Sequence, residues 1–312
     1  MYQGRVDAAL LQRSVIAVPP LCRAEDLAPA TVEIEKLARH LEAGGVTTLM
    51  YGGNANFYHV GVSDYAALVE TLAATAPEDA WVIPSIGPDF GKAIDQARIL
   101  RDTAFPTAMV LPAAFPITMD GAADGIRRIA DALGRPVIAY IKAEGFLTPA
   151  LAARLVADGA ACAIKYAIVR SDPASDRFLE ELVDLMDRSL IVSGIGERPV
   201  IAHWTAFGLR AFTSGSVCIA PALTTAIKHA LEAGDTARAE RLRAHFLPLE
   251  DLRDQISPLR VLHEAVDQAG IAATGPMLPM LTRLGAADAA RVRSAAKALL
   301  AQNNEAPAQA AE

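Results

Sequence analysis

Two residues have the types and positions to do covalent chemistry. Lys165 stands near the end of an otherwise small and apolar run, "ACAIKY" (161 to 166), and Tyr140 near the end of another, "PVIAYI" (136 to 141). An ammonium loses free energy when it leaves water, so a lysine in such a run either reaches solvent or has its desolvation put to use. In a poorly hydrated mouth the charged form is disfavoured, the pKa falls, and a neutral amine becomes available as a nucleophile. That amine adds to a ketone to give a Schiff base, and a tyrosine within hydrogen-bond reach moves the protons that carbinolamine formation and loss of water require. A third feature is "YGGNAN" (51 to 56). Gly52 and Gly53 permit a tight turn whose backbone N–H groups hold a carboxylate, with Asn54 and Asn56 in the same turn. Lysine, tyrosine and an anion cradle together suit a 2-keto acid.

Each feature also has a plain structural reading. A strand-end lysine can lead its ammonium back to water, a tyrosine can be a core aromatic with a wet tip, and Gly-Gly-Asn is a common turn. "SGIGERP" (193 to 199), which contains Ser193, Gly194 and Arg198, is placed where many barrels hold phosphate, and it serves equally as a strand-to-helix turn. If it held phosphate, the protein would be a phosphosugar aldolase. If the turn at 54 to 56 held a keto acid without supporting turnover, the protein would be a non-catalytic keto-acid-binding barrel.

Other chemistries find less support. "HEAVDQ" (263 to 268) lacks the second histidine of a zinc-binding HExxH, and Cys22, Cys162 and Cys218 lie too far apart for a metal-ligand cluster. We expect no metal and no organic cofactor, and we read the cysteines as buried thiols in a reducing compartment. A net charge of −7 with only 5% aromatic residues offers nucleic acid neither a basic nor a stacking surface. No apolar stretch is long enough to span a bilayer, and the first residues lack a signal peptide's apolar core, so the expected location is the cytoplasm and the expected partners are a small-molecule substrate and other subunits.

The elements that must position these residues alternate. Strands are predicted at 14 to 18, 46 to 50, 81 to 86, 106 to 111, 136 to 141, 161 to 166, 190 to 194 and 209 to 215. Between them, apolar residues recur at i, i+3, i+4 and i+7: Ile34, Leu37, Ala38, Leu41; Ile126, Ile129, Ala130, Leu133; Leu179, Leu182, Val183, Met186. Eight strand–helix units predict an α/β fold, a closed (β/α)8 TIM barrel, over 1 to 232. A helical extension of the same domain follows over 233 to 302, and a polar, Ala/Pro-rich tail over 303 to 312 is expected to fray. In such a barrel the active site forms where the strands end, which is where Lys165, Tyr140 and the 51 to 56 turn fall.

At these residues the chain resembles the dihydrodipicolinate synthase/N-acetylneuraminate lyase family of Schiff-base-forming aldolases and hydro-lyases. The resemblance runs in order through "GGVTTLMYGGNANFYHVGVSDY", "PVIAY", "AIKYA", "SGIGE", "GLRAFTSG" and "PLEDLRDQISPLRVLHEAVDQAG". It implies a lyase with Lys165 as the Schiff-base lysine, Tyr140 as its proton relay, the Gly53/Asn54 turn as the keto-acid carboxylate site, and a homo-oligomer, tetramer or dimer. Ser193, Gly194 and Thr213, in the matching motifs, join the substrate-contacting candidates. Where the family carries Thr-Gly-Glu this chain has Asn54-Ala55-Asn56, which replaces a hydroxyl's hydrogen bond but not its proton relay. "AAFPITMDG" lacks the paired tyrosines of true synthases, and "IKAEGF" after Tyr140 lacks their Asn-x-Pro and arginine. Dihydrodipicolinate synthesis itself is therefore not expected. The nearest look is to the 5-dehydro-4-deoxyglucarate dehydratase branch, whose substrate is a sugar-derived keto acid, and Lys142, Glu144 and Arg198 are the candidates for reading its distal hydroxyls or second acid.

Overall fold

The computed structural model describes residues 1–309. Eight strands, β1 (Ile16–Ala17), β2 (Thr48–Tyr51), β3 (Trp81–Ile86), β4 (Met109–Val110), β5 (Val137–Ile141), β6 (Ala161–Tyr166), β7 (Ile191–Ser193) and β8 (Ala211–Ser214), close into a parallel barrel in sequence order, with β8 paired back to β1. A short α1 (Ala8–Gln12) precedes it. The crossovers are α2 (Thr31–Ala43), α3 (Val62–Thr75), α4 (Phe90–Arg101), α5 (Met119–Leu133), α6 (Pro149–Ala157), α7 (Arg177–Leu185) and α8 (Glu197–Ala206), and α9 (Pro221–Glu232) completes the ring. The predicted TIM barrel is the observed fold.

The crossover helices form for local reasons that the pattern carries. In α5, Thr118 accepts a hydrogen bond from the Gly121 N–H at the N-cap, Ile126, Ile129, Ala130 and Leu133 are buried on one stripe, and Gly134 at φ 74° ends the helix. In α2, Ile34, Leu37, Ala38 and Leu41 are all buried. In α7 only Leu179 and Leu182 are buried; Val183, within the helix, and Met186, just past its end at Leu185, are half-buried.

Strands β1 and β4 are only two residues long, far shorter than their apolar runs. At β1 the Ser14 hydroxyl bonds to the backbone, accepting from the Thr47 N–H at 3.1 Å, and takes the place of a ladder contact. At β4, Pro106 has no N–H to give, and the Thr107 hydroxyl donates to the Pro136 carbonyl at 2.7 Å.

After the ring come α10 (Thr236–Ala244), α11 (Leu247–Gln255), α12 (Pro258–Gln268) and α13 (Ala286–Gln309). The segment expected to fray from residue 303 is helical in α13 through Gln309. Within α13, Asn303 is buried and its Oδ1 accepts from the Ala222 and Leu223 N–H groups at 2.8 and 3.2 Å, capping the start of α9. Residues 310–312 lie outside the described residues. Among the described residues no helix is long and apolar enough to cross a membrane. Cys22 and Cys218 are buried as expected, whereas Cys162 is only half-buried.

Candidate active site

Lys165 and Tyr140 are direct register partners on the adjacent strands β6 and β5. Parallel neighbours in register present their side chains to the same face, so both point into the barrel mouth. Alternation sends the next residue, Tyr166, outward, where its hydroxyl donates to Asp176 at the start of α7. Gly194, which follows β7, makes room: a Cβ there would stand 2.8 Å from the Tyr166 carbonyl oxygen and 3.1 Å from Lys165 Cγ.

The result is a cavity of about 210 Å³ at the C-terminal ends of the strands, lined among others by Gly53, Asn54, Tyr58, Tyr140, Lys142, Lys165, Gly194 and Thr213. Lys165 is only 5% exposed, with Nζ 4.4 Å from the centroid of the Tyr140 ring. Its pKa is lowered to about 7, first by burial and then by the positive charges of Lys142 and Arg253. A large fraction of the amine is therefore neutral near neutral pH. Burial pushes the Tyr140 phenol the other way, well above its ordinary value, so it keeps its proton and can donate it.

The remaining sequence candidates divide. Gly53, Asn54, Lys142, Gly194 and Thr213 line the cavity. Gly52 lies behind it, where a Cβ would meet Met109 Cε at 2.5 Å and Ser85 Oγ at 2.9 Å. Asn56 is also behind it: it is buried in the left-handed conformation at φ 57° and does not line the cavity. Ser193, paired in register with outward-facing Tyr166, turns toward α8 and shares a 2.8 Å hydrogen bond with His203 Nδ1. Glu144 pairs with Arg170 at 2.7 Å and lines a separate surface depression. Arg198 is held by Asp251 at 2.6 Å and Asp254 at 3.2 Å, outside the cavity. Gly52, Asn56, Ser193, Glu144 and Arg198 thus do not line the cavity that holds the lysine.

Four charged groups that sequence reasoning missed stand at or behind it. Helix α11 lays Glu250, Arg253 and Asp254 against the mouth. Arg253 is buried and donates from Nη1 to Glu250 Oε1 at 2.7 Å, while Glu250 also accepts from the Ser216 hydroxyl. Behind them, fully buried Glu197 accepts from the Ser214 and Thr224 hydroxyls, and burial together with the Glu250 charge raises its pKa to about 7. The available signal was "PLEDLRDQ", in which charged residues alternate with Leu249 and Leu252 too closely for all of them to face water.

Residues 24–299 match the dihydrodipicolinate synthetase family over most of the chain. The chain belongs to that family. It is accordingly a lyase. A probable 5-dehydro-4-deoxyglucarate dehydratase of Streptomyces coelicolor is 28% identical over 264 residues, 81% of this chain and 79% of that one. Among solved structures, the dihydrodipicolinate synthase of Oceanobacillus iheyensis superposes with a TM-score of 0.80 at 22% identity, covering 93% of this chain and 98% of that one. A catalytic-lysine mutant of the Ruminococcus gnavus sialic acid aldolase does so with a TM-score of 0.79 at 14% identity, covering 96% and 99%. At these identities the likeness to the solved structures is one of fold, so what this dihydrodipicolinate synthetase family member does with its cavity rests on the cavity's own residues.

Proposed function

We propose that this chain forms a Schiff base between Lys165 and the keto carbon of a 2-keto acid, and that its substrate is sugar-derived. The observation that carries this reading is a buried lysine with a pKa near 7, seated over a tyrosine ring in a cavity at the barrel mouth. Neutral Nζ attacks the carbonyl carbon, and the Tyr140 hydroxyl delivers a proton to the carbinolamine oxygen so that water can leave. The resulting iminium keeps its positive charge above the electron-rich face of the Tyr140 ring, which favours it. As an electron sink it permits loss of a proton from C3, and the enamine then expels a leaving group from C4. With hydroxide as that group, protonated as it departs, the net reaction is loss of water. The 28% identical dehydratase relative supports that choice over carbon–carbon cleavage.

The phosphosugar reading of the 193 to 199 loop has less to stand on. The start of α8 already carries Glu197, and Glu250 Oε2 stands 3.3 Å from where a Cβ on Gly196 would be. The Glu250 carboxylate, held by Arg253, already fills the space beside Gly196 that a phosphate would need. Assembly into a homo-oligomer remains part of the proposal: the apolar groove around Phe90 and Phe115, respectively 52% and 90% exposed, is a surface that assembly would cover.

Borohydride trapping with pyruvate and with a sugar-derived 2-keto acid, followed by peptide mass mapping, tests the chemistry. An adduct on Lys165 is expected. No adduct in folded protein, or one on another lysine, overturns the reading.

A further inference from the structure

Arg253 has the geometry of an anion-binding group rather than of a structural ion pair alone. Its guanidinium offers five donors in a fixed fork. Nη1 is engaged by Glu250, and Nε has no hydrogen-bond partner among the described residues. Nη2 stands 2.8 Å, and the Asn54 amide nitrogen 3.0 Å, from the point a Cβ on Gly215 would occupy. The guanidinium and the Gly53–Asn54 turn are therefore neighbours over one bare glycine, on the wall of the cavity that holds Lys165. The Asn54 amide donates to the Val18 carbonyl at 2.9 Å, which fixes the side chain and occupies one of its donor positions.

The charges in the cavity wall also favour an anion. Glu250 is matched by Arg253 and Asp254 by Arg198, while Lys142 has no carboxylate within 4.0 Å among the described residues. Glu197, behind Glu250, has its ionised form disfavoured by burial and by the Glu250 charge.

We propose that Arg253, contributed by the helical extension, is the principal anchor for the carboxylate next to the keto carbon, acting with the Gly53–Asn54 turn, and so sets the preference for 2-keto acids over uncharged ketones. The proposal deepens the Schiff-base reading and rests on it for the identity of the ligand. Glu250 is a positioning residue: it holds one edge of the fork and leaves the other edge to the substrate. Gly215 is needed because any side chain there would occupy the space of the guanidinium.

Trapping on Lys165 is compared for pyruvate and for methyl pyruvate, its uncharged ester, in the wild type and in Arg253→Gln, Arg253→Lys and the double variant Arg253→Gln/Glu250→Gln. The double variant leaves no buried charge of the pair without its partner, so it keeps the test open if the single variant fails to fold. Loss of a charge-assisted hydrogen bond predicts that the half-saturating pyruvate concentration rises about 10- to 100-fold in the glutamine variants, with methyl pyruvate unchanged and Arg253→Lys intermediate. Equal loss for acid and ester, no loss for pyruvate, or a loss confined to substrates with a second acid would overturn it. If the wild type traps neither compound, the Schiff-base reading falls. Calorimetric titration with pyruvate then decides the anion site by itself: weaker binding to the glutamine variants upholds it, and equal or absent binding in wild type and variants overturns it.

Discussion

The rate of imine formation should follow the deprotonation of Lys165. With its pKa lowered to about 7 by burial and by the neighbouring cations Lys142 and Arg253, about half the amine is neutral at pH 7, about nine-tenths at pH 8 and about a tenth at pH 6. A lysine in water would reach half neutralisation only near pH 10.4. The perturbation is therefore pH itself, and the assay is the initial rate of borohydride-trappable adduct at a fixed, subsaturating pyruvate concentration. The rate should climb about tenfold per unit below pH 7 and flatten above it, because only the neutral fraction attacks. Lys142→Gln removes one of the two cations and should move the limb upward in pH. A limb near pH 10 in the wild type, or one that Lys142→Gln moves downward, would refute the account of a desolvated amine pressed by positive neighbours.

Further outcomes follow from the same geometry. Lys165→Met should abolish trapping and stabilise the fold: a lysine whose folded pKa lies below its unfolded value binds fewer protons when folded, so its penalty is fully present below pH 7 and fades as pH rises toward 10.5. Denaturant titrations of the two proteins should therefore differ most at pH 6 and converge at high pH, and a constant difference would argue against the shifted pKa. Tyr140→Phe keeps the ring and loses the proton donor, so trapping should slow about 10²- to 10⁴-fold with the adduct still on Lys165, the range a positioned acid–base group supplies. Asn303→Ala uncaps the Ala222 and Leu223 N–H groups of α9 and should cost about 0.5–2 kcal/mol in urea unfolding. A negligible loss would return the last turns of α13 to the status of a loosely held tail.

The elements that were legible in advance share a physical cause. Strands β3, β5 and β6 were placed to within a residue because their apolar runs are buried on both faces and interrupted only where function or solvent intervenes. The helices α2 and α5 were legible because an amphipathic stripe is a local, periodic signal. Polar residues near the mouth were harder, because sequence proximity says nothing about which partner will hold them. Glu144 and Arg198 were good candidates until Arg170 in one case and Asp251 with Asp254 in the other took up their charges. Ser193 and Asn56 were near the site in sequence but on the wrong side of a strand and of a turn.

By itself the sequence determined the barrel and put Lys165 and Tyr140 near the C-terminal ends of consecutive strands. Strand–helix alternation and a side-chain period of two within each strand can be read from spacing, whereas the register that sets Tyr140 beside Lys165 follows a shift between Val137 and Ile138 that only the folded sheet shows. The tertiary structure alone decided what surrounds the amine. Arg253 and Glu250 reach it from α11, some ninety residues later in the chain, by packing of the helical extension across the mouth, and Glu197 comes to lie behind them. Desolvation and Coulomb interaction act through space rather than along the chain, so the lowered pKa of Lys165 and the arginine beside Asn54 exist only once those distant segments have met.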